Sequence, residues 1–87
     1  MGSYRIVFKR SVAKDLRGIP NREVRRILER IDALGEDPRA EGCIKLSARE
    51  RYRVRQGVYR IVYEIQDSES TVVVVRVAHR SSVYRNR

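Results

Sequence analysis

Arg53, Arg55, Arg60, Arg76 and Arg80 recur at strand-like spacing in the second half of this 87-residue chain, and His79, Tyr84 and Arg85 stand among or just beyond them. Guanidiniums that share one face repel each other, so a fold that gathers them is built to hold an anion. Arginine also has the planar fork that grips phosphate in bidentate fashion and stacks on bases. A tyrosine beside such cations, as Tyr84 is beside Arg85, supplies the other half of a single-stranded RNA site. Bases stack on the ring at ~1–3 kcal/mol each while the cations take the backbone. Arg51, Arg76, His79, Arg85 and Lys45 extend the set as RNA-contact candidates.

A cationic site of this kind can cut RNA without a protein nucleophile, because RNA brings its own 2′-hydroxyl. The protein must orient that hydroxyl in line, stabilise the pentavalent phosphorane and assist proton transfer. Fixed guanidiniums suit the second task and suit the third poorly, since arginine does not deprotonate. His79 is the single histidine. On strand parity it points opposite to Arg80, toward the core side, where it packs; if the strand breaks before it, it becomes a proton acceptor. The chain lacks a metal-ligand cluster, a Gly-rich phosphate loop, a Ser-His-Asp set and a carboxylate pair placed for acid–base work. No metal and no cofactor are therefore expected.

The elements that must position these residues are legible from periodicity. In Arg51–Ile65, Tyr52, Val54, Tyr59, Ile61, Tyr63 and Ile65 fall on one face of a period-two pattern, and Arg51, Arg53, Arg55, Arg60, Val62 and Glu64 on the other. Alternation of this kind marks half-buried antiparallel strands. Gln56-Gly57 between the runs supplies the positive φ of a tight hairpin. Tyr4, Ile6 and Phe8 mark a first strand. Ser11 is the expected cap of a short helix carrying Val12 and Leu16, which Gly18 and Pro20 end. From Asn21, Val24, Ile27, Leu28, Ile31 and Leu34 form one apolar stripe that Gly35 closes. The arginines on its other face, interspersed with acids, read as solvated.

After a polar loop with Pro38 come the hairpin, a turn at Gln66–Ser70, and a last strand from Thr71 to Arg80. Its uninterrupted Val72–Val75 fits a mid-sheet position. The fold class is α+β with order β-α-α-β-β-β: two N-terminal helices on one face of a mainly antiparallel four-stranded sheet, a single domain over 1–87. Strict alternation turns Val73, Val75 and Val77 toward the helices. Val74, Arg76, Ala78 and Arg80 then face away, on an uncovered surface shared with Arg53, Arg55 and Arg60, with Arg5 and Lys9 on the same side and Glu64 as its one carboxylate.

Composition agrees. Of 20 cationic residues only Lys9, Lys14 and Lys45 are lysine, and the net charge is +9, which calls for a polyanionic or acidic partner. Cys43 stands alone, a small packing residue compatible with a reducing cytoplasm. No apolar run approaches the ~20 residues of a membrane span, so no membrane association is expected.

With Asp37-Pro38, Lys45-Leu46, Tyr52-Arg-Val-Arg55, Gly57-Val-Tyr-Arg-Ile-Val-Tyr63 and His79-Arg80 before Val83-Tyr84, the chain resembles the RelE toxins of the wider RelE/ParE superfamily over essentially its whole length. The resemblance implies a toxin that enters the ribosomal A site and cuts mRNA, leaving a 2′,3′-cyclic phosphate and a 5′-hydroxyl. Its implied partners are a cognate RelB-like antitoxin and the 70S-type ribosome with its mRNA. The family's paired basic residues fall on Arg53 and Arg55, its transition-state-stabilising arginine on Arg60, its acid-assisting arginine on Arg80, and its base-stacking tyrosine on Tyr84. Well-known members carry lysine at the Arg53 and Arg55 positions, one of them a candidate general base. With arginine at both, the base is His79 or Tyr84, or the hydroxyl is activated by charge with water taking the proton. Two other readings share the scaffold: a ParE-like poison of DNA gyrase and a non-catalytic RNA- or ribosome-binding module.

Overall fold

The computed structural model describes residues 3–46 and 50–83. The expected helix–strand order is present, built on a sheet of order β1-β5-β4-β3-β2. Strand β1 (Arg5–Phe8) runs parallel to β5 (Thr71–His79), and β5, β4 (Tyr59–Gln66), β3 (Arg51–Gln56) and β2 (Ile44–Lys45) are antiparallel. The four expected strands are thus joined by a fifth, the two-residue β2. Its partner positions in β3 are Arg53 and Tyr52.

Helix α1 (Arg10–Arg17) buries Val12, and α2 (Asn21–Leu34) buries Ile27, Ile31 and Leu34 against the sheet. Helix α1 starts two residues before the expected position, with Lys9 rather than Ser11 at the cap site, and α2 one residue before, with Pro20 rather than Asn21; neither has a side-chain cap. Proline is apt there, since the residue before a helix has no intrahelical use for a donor. No described helix is long and apolar enough to cross a membrane.

One stripe residue departs from expectation: Leu28 stays 41 % exposed. It sits at the margin of the stripe, where α2 overhangs the edge strand β1, and it lines a shallow cavity with Phe8. Gly35 is needed for a different reason than a left-handed stop. Its φ is −66°, but a Cβ there would stand 3.1 Å from the carbonyl of Tyr4, whose N–H donates to the Gly35 carbonyl at 2.7 Å. The start of β1 therefore packs directly on the end of α2.

The helix-side face of the sheet holds Tyr52, Val54, Ile61, Tyr63 and Ile65, all buried as the alternation predicts. Tyr52 and Tyr63 stack with centroids 5.8 Å apart, and the Tyr63 hydroxyl donates to the Pro38 carbonyl at 2.6 Å. That bond fastens the loop between α2 and β2 to the core. The hairpin turn is Gly57-Val58, one residue later than expected, with Gln56 and Tyr59 paired and Gly57 at φ +63°. Glycine at the first turn position lets the two strands close without splaying.

The last strand corrects the sequence reading. Val72, Val74 and Val77 are the buried valines, whereas Val73 and Val75 are only half-buried. Between the pairs Tyr63↔Val74 and Val62↔Arg76 the register shifts, leaving Val75 as an extra residue on β5. This β-bulge reverses the phase of the strand, so the inward set is even-numbered before it and odd-numbered after it. Four identical valines hide the break from any count of alternation.

Candidate nucleic-acid interface

On the sheet face away from the helices, the register aligns cationic residues in rows across three strands. Arg53 pairs with Val62, which pairs with Arg76; Arg55 pairs with Arg60, which pairs with Ala78. Neighbouring strands lie ~4.8 Å apart and the rows stand two residues apart along the strands, ~6.7 Å. Like charges directly opposite each other across strands destabilise a sheet, and Arg55↔Arg60 is such a pair. An anion seated between them would relieve that repulsion.

Arg60 differs from the open residue that alternation predicts. It is 5 % exposed. Strand β4, which carries it, is the central strand of the sheet, between β5 and β3. Arg53 is half-buried, and its Nε is buried with no hydrogen-bond partner among the described residues. A buried donor left without an acceptor is costly in a native structure, and a phosphate oxygen would satisfy it. Arg55 and Arg80 are exposed and Arg76 is half-buried. Arg80 opens the short helix α3 (Arg80–Val83), and its backbone N–H donates to the Val58 carbonyl at 2.7 Å. Arg80 is thereby held at the hairpin end of the sheet, where Arg55 and Arg60 lie.

Other expected members sit differently. Arg51 is committed to Glu64, with its Nε donating at 3.1 Å and a second, shorter contact through Nη2. Glu64, the carboxylate expected on this face, is therefore engaged by Arg51. Lys45 lies opposite Tyr52, on the helix side, and pairs with Glu50 at 3.1 Å. Tyr84 and Arg85 lie outside the described residues.

His79 falls opposite Tyr59, on the helix-side parity, with the two rings edge-on at 5.6 Å. The imidazole is exposed, and its Nδ1 accepts the backbone N–H of Ser81 at 3.2 Å while lying 2.9 Å from the Ser81 hydroxyl. With Nδ1 an acceptor, the neutral ring carries its proton on Nε2. Its acceptor lone pair is thus engaged by the start of α3. Its work is to cap the first turn of α3.

One cluster escaped sequence reading. Arg39 donates to Glu50 at 2.6 Å, to Asp67 at 2.8 Å and to the Tyr52 hydroxyl at 3.0 Å, while the Tyr4 hydroxyl donates to Asp67 at 2.8 Å. These residues are far apart in sequence and carry no periodic signal; only Asp37-Pro38 hinted that the loop mattered. The network ties the α2–β2 loop to both ends of the hairpin and so holds β3 in place under its arginines. Hydrogen bonds from Arg39, Lys45 and Tyr52 hold the Glu50 carboxyl down at about 2 instead of 4.5, and Arg39 and Tyr4 lower Asp67 in the same way. Burial pushes the Tyr63 phenol well up, so it stays protonated.

A carboxylate with a depressed folded pKa stabilises above its unfolded value, and that contribution is lost as pH falls through the folded one. Thermal unfolding should therefore show stability declining from pH 4.5 down to about 2 through Glu50. Both partners are exposed, so the loss is small. Arg39→Ala should flatten the profile across that window, and an unchanged profile would show that the network is ornamental.

Known proteins match this chain over nearly its whole length. Residues 6–84 match the sequence profile of the family described as the ParE toxin of the type II toxin–antitoxin system parDE. The chain is 31 % identical to Toxin RelG of Mycobacterium tuberculosis over 84 residues, covering 94 % of this chain and 97 % of the relative. Its fold superposes on a chain of the M. tuberculosis RelBE2 toxin–antitoxin complex with a TM-score of 0.81 at 30 % identity, covering 93 % of this chain and 95 % of the other. The isolated E. coli RelE toxin aligns with a TM-score of 0.77 at 25 % identity, covering 95 % and 93 %.

Proposed function

We propose that this chain, which belongs to the RelE/ParE superfamily of type II toxin–antitoxin toxins, is a ribosome-dependent endoribonuclease that cuts mRNA in the A site. The observation that carries this reading is the pair of cationic rows, Arg53–Val62–Arg76 and Arg55–Arg60–Ala78, on the sheet face opposite the helices. The 2′-hydroxyl of the RNA attacks the adjacent phosphate. Arg60, fixed and shielded from water, stabilises the charge that builds on the phosphorane oxygens. Arg53 and Arg55 bind the flanking phosphate, and Arg80 stabilises the leaving 5′-oxygen until it is protonated. Tyr84 stacks on a base and orients the sugar. The substrate-side products are a 2′,3′-cyclic phosphate and a 5′-hydroxyl. An antitoxin of the RelB kind holds the protein silent, as the toxin–antitoxin complexes among its structural relatives suggest.

Proton removal works by charge: the crowded guanidiniums lower the 2′-hydroxyl pKa and water accepts the proton. The engagement of Nδ1 with Ser81 argues against His79 as the base. His79→Asn, which preserves an acceptor for the helix start, should therefore keep most of the cleavage rate. It should leave the pH–rate profile without a lost inflection near ~6.5, where a histidine base would titrate. A histidine-dependent inflection there would overturn this assignment.

A second reading, a gyrase poison of the ParE kind, is favoured by the description of the matching family. Primer extension on mRNA from cells after induction separates the two. Discrete breaks at in-frame codons support the nuclease; intact transcripts with broken chromosomal DNA support the gyrase poison.

A further inference from the structure

The bulge in β5 is held by two anchors from one short stretch of chain. Lys9, at the end of β1, donates its N–H to the Val74 carbonyl at 2.9 Å, and Asp15 of α1 accepts the Val77 N–H on Oδ2 at 3.0 Å. Before the bulge, even-numbered positions of β5 turn their backbone toward β1, as the Ser70 and Val74 carbonyls show. An unbroken strand would next present position 76 to that edge. Position 77 is presented instead, and this is possible only with one extra residue between the anchors. Beyond Val74, β1 gives β5 no further partner, because its pairing ends at Phe8↔Val74. The Asp15 carboxylate takes the place of the missing strand.

Arg76 lies between those anchors. The inward residues before the bulge are Val72 and Val74, so without the inserted Val75 the same phase would carry position 76 into the core. We propose that Asp15 is a positioning residue: by fixing the edge of β5 just past the bulge, it keeps Arg76 in the cationic row with Arg53. Its importance for RNA rests on the function proposed above, while its anchoring of β5 does not. The four-valine run makes the anchor necessary, because valine side chains give the strand no preference for where the extra residue sits. The carboxylate is also the single acid in a helix that otherwise carries Arg10, Lys14 and Arg17.

Two measurements on the whole chain test this. Amide hydrogen exchange should show Val77 exchanging roughly tenfold faster in Asp15→Ala, with Val72 and Val74 unchanged, and protection largely restored in Asp15→Asn, whose amide oxygen still accepts. Unchanged protection of Val77, or equal loss at all three valines, would overturn the anchoring. Fluorescence anisotropy with a short single-stranded oligoribonucleotide then reads the cationic face whether or not cleavage occurs. Asp15→Ala should weaken binding several-fold in the parent and add nothing in an Arg76→Ala background. Additive losses would overturn the route through Arg76. A parent protein that fails to bind the oligonucleotide would overturn the RNA reading instead, and the exchange comparison would still decide the anchor.

Discussion

Arg60→Ala is expected to lower ribosome-dependent cleavage by about 10²–10³-fold, the size of effect that follows removal of one preorganised donor from a charge-stabilising site. The residue lies mid-sheet, 5 % exposed, between Arg55 and Ala78. A cation shielded from water acts in a lower effective dielectric and need not reorganise when the phosphorane forms. Arg60→Lys should fall between parent and alanine, since it keeps the charge and loses the planar fork. Burial also means that alanine removes packing as well as charge. Relief of the Arg55–Arg60 repulsion offsets part of that loss, and a melting-temperature shift of no more than about 4–8 °C is expected, equivalent to ~1 kcal/mol in a domain of this size. Single-turnover cleavage beside a thermal melt checks both. Near-parental cleavage, or an unfolded Arg60→Ala protein, would contradict the role.

Tyr63→Ala should have the opposite profile, a stability loss of about 3–5 kcal/mol from removing a large buried aromatic. Tyr63 is fully buried, stacks on Tyr52 and donates to the Pro38 carbonyl. Total stabilities of small domains are ~5–15 kcal/mol, so such a loss removes a large share of the margin. Tyr63→Phe separates the ring from the hydroxyl: it keeps the stack and should cost about 1–2 kcal/mol, because the Pro38 carbonyl then loses its donor. Denaturant unfolding measures both. Equal losses would mean that the hydroxyl's grip on the loop outweighs the packing of the ring.

The hairpin was legible in the sequence because two-residue periodicity and a glycine turn are local signals. Tyr52, Val54, Ile61, Tyr63 and Ile65 all face the core as their spacing requires. Arg53 and Arg55 could be placed on the other face for the same reason. The alternation of β5 failed at Val75, because a bulge is written in anchors from Lys9 and Asp15, far away in the chain, and the valine run conceals it. Arg76 nevertheless lies on the expected outer side, because the odd-inward phase holds at Val77, beyond the bulge. Arg60's burial was illegible because parity gives the direction of a side chain and says nothing of what covers it. The commitments of Arg51 to Glu64 and of Lys45 to Glu50 depend on which carboxylates the fold brings near. Likewise His79's parity was readable, and its role as a helix cap was visible only once Ser81 was seen to turn back onto its ring.

The most direct test of the central claim uses purified protein, 70S ribosomes and two mRNAs that differ only in the sugar 5′ to the scissile phosphate in the A site. With ribose there, the account predicts a single ribosome-dependent cut, ending in a 2′,3′-cyclic phosphate on one product and a 5′-hydroxyl on the other. With 2′-deoxyribose at that one position, it predicts no cut at that site. Cleavage of both mRNAs at equal rates would show that the nucleophile does not come from the RNA, and would contradict the proposed 2′-hydroxyl attack.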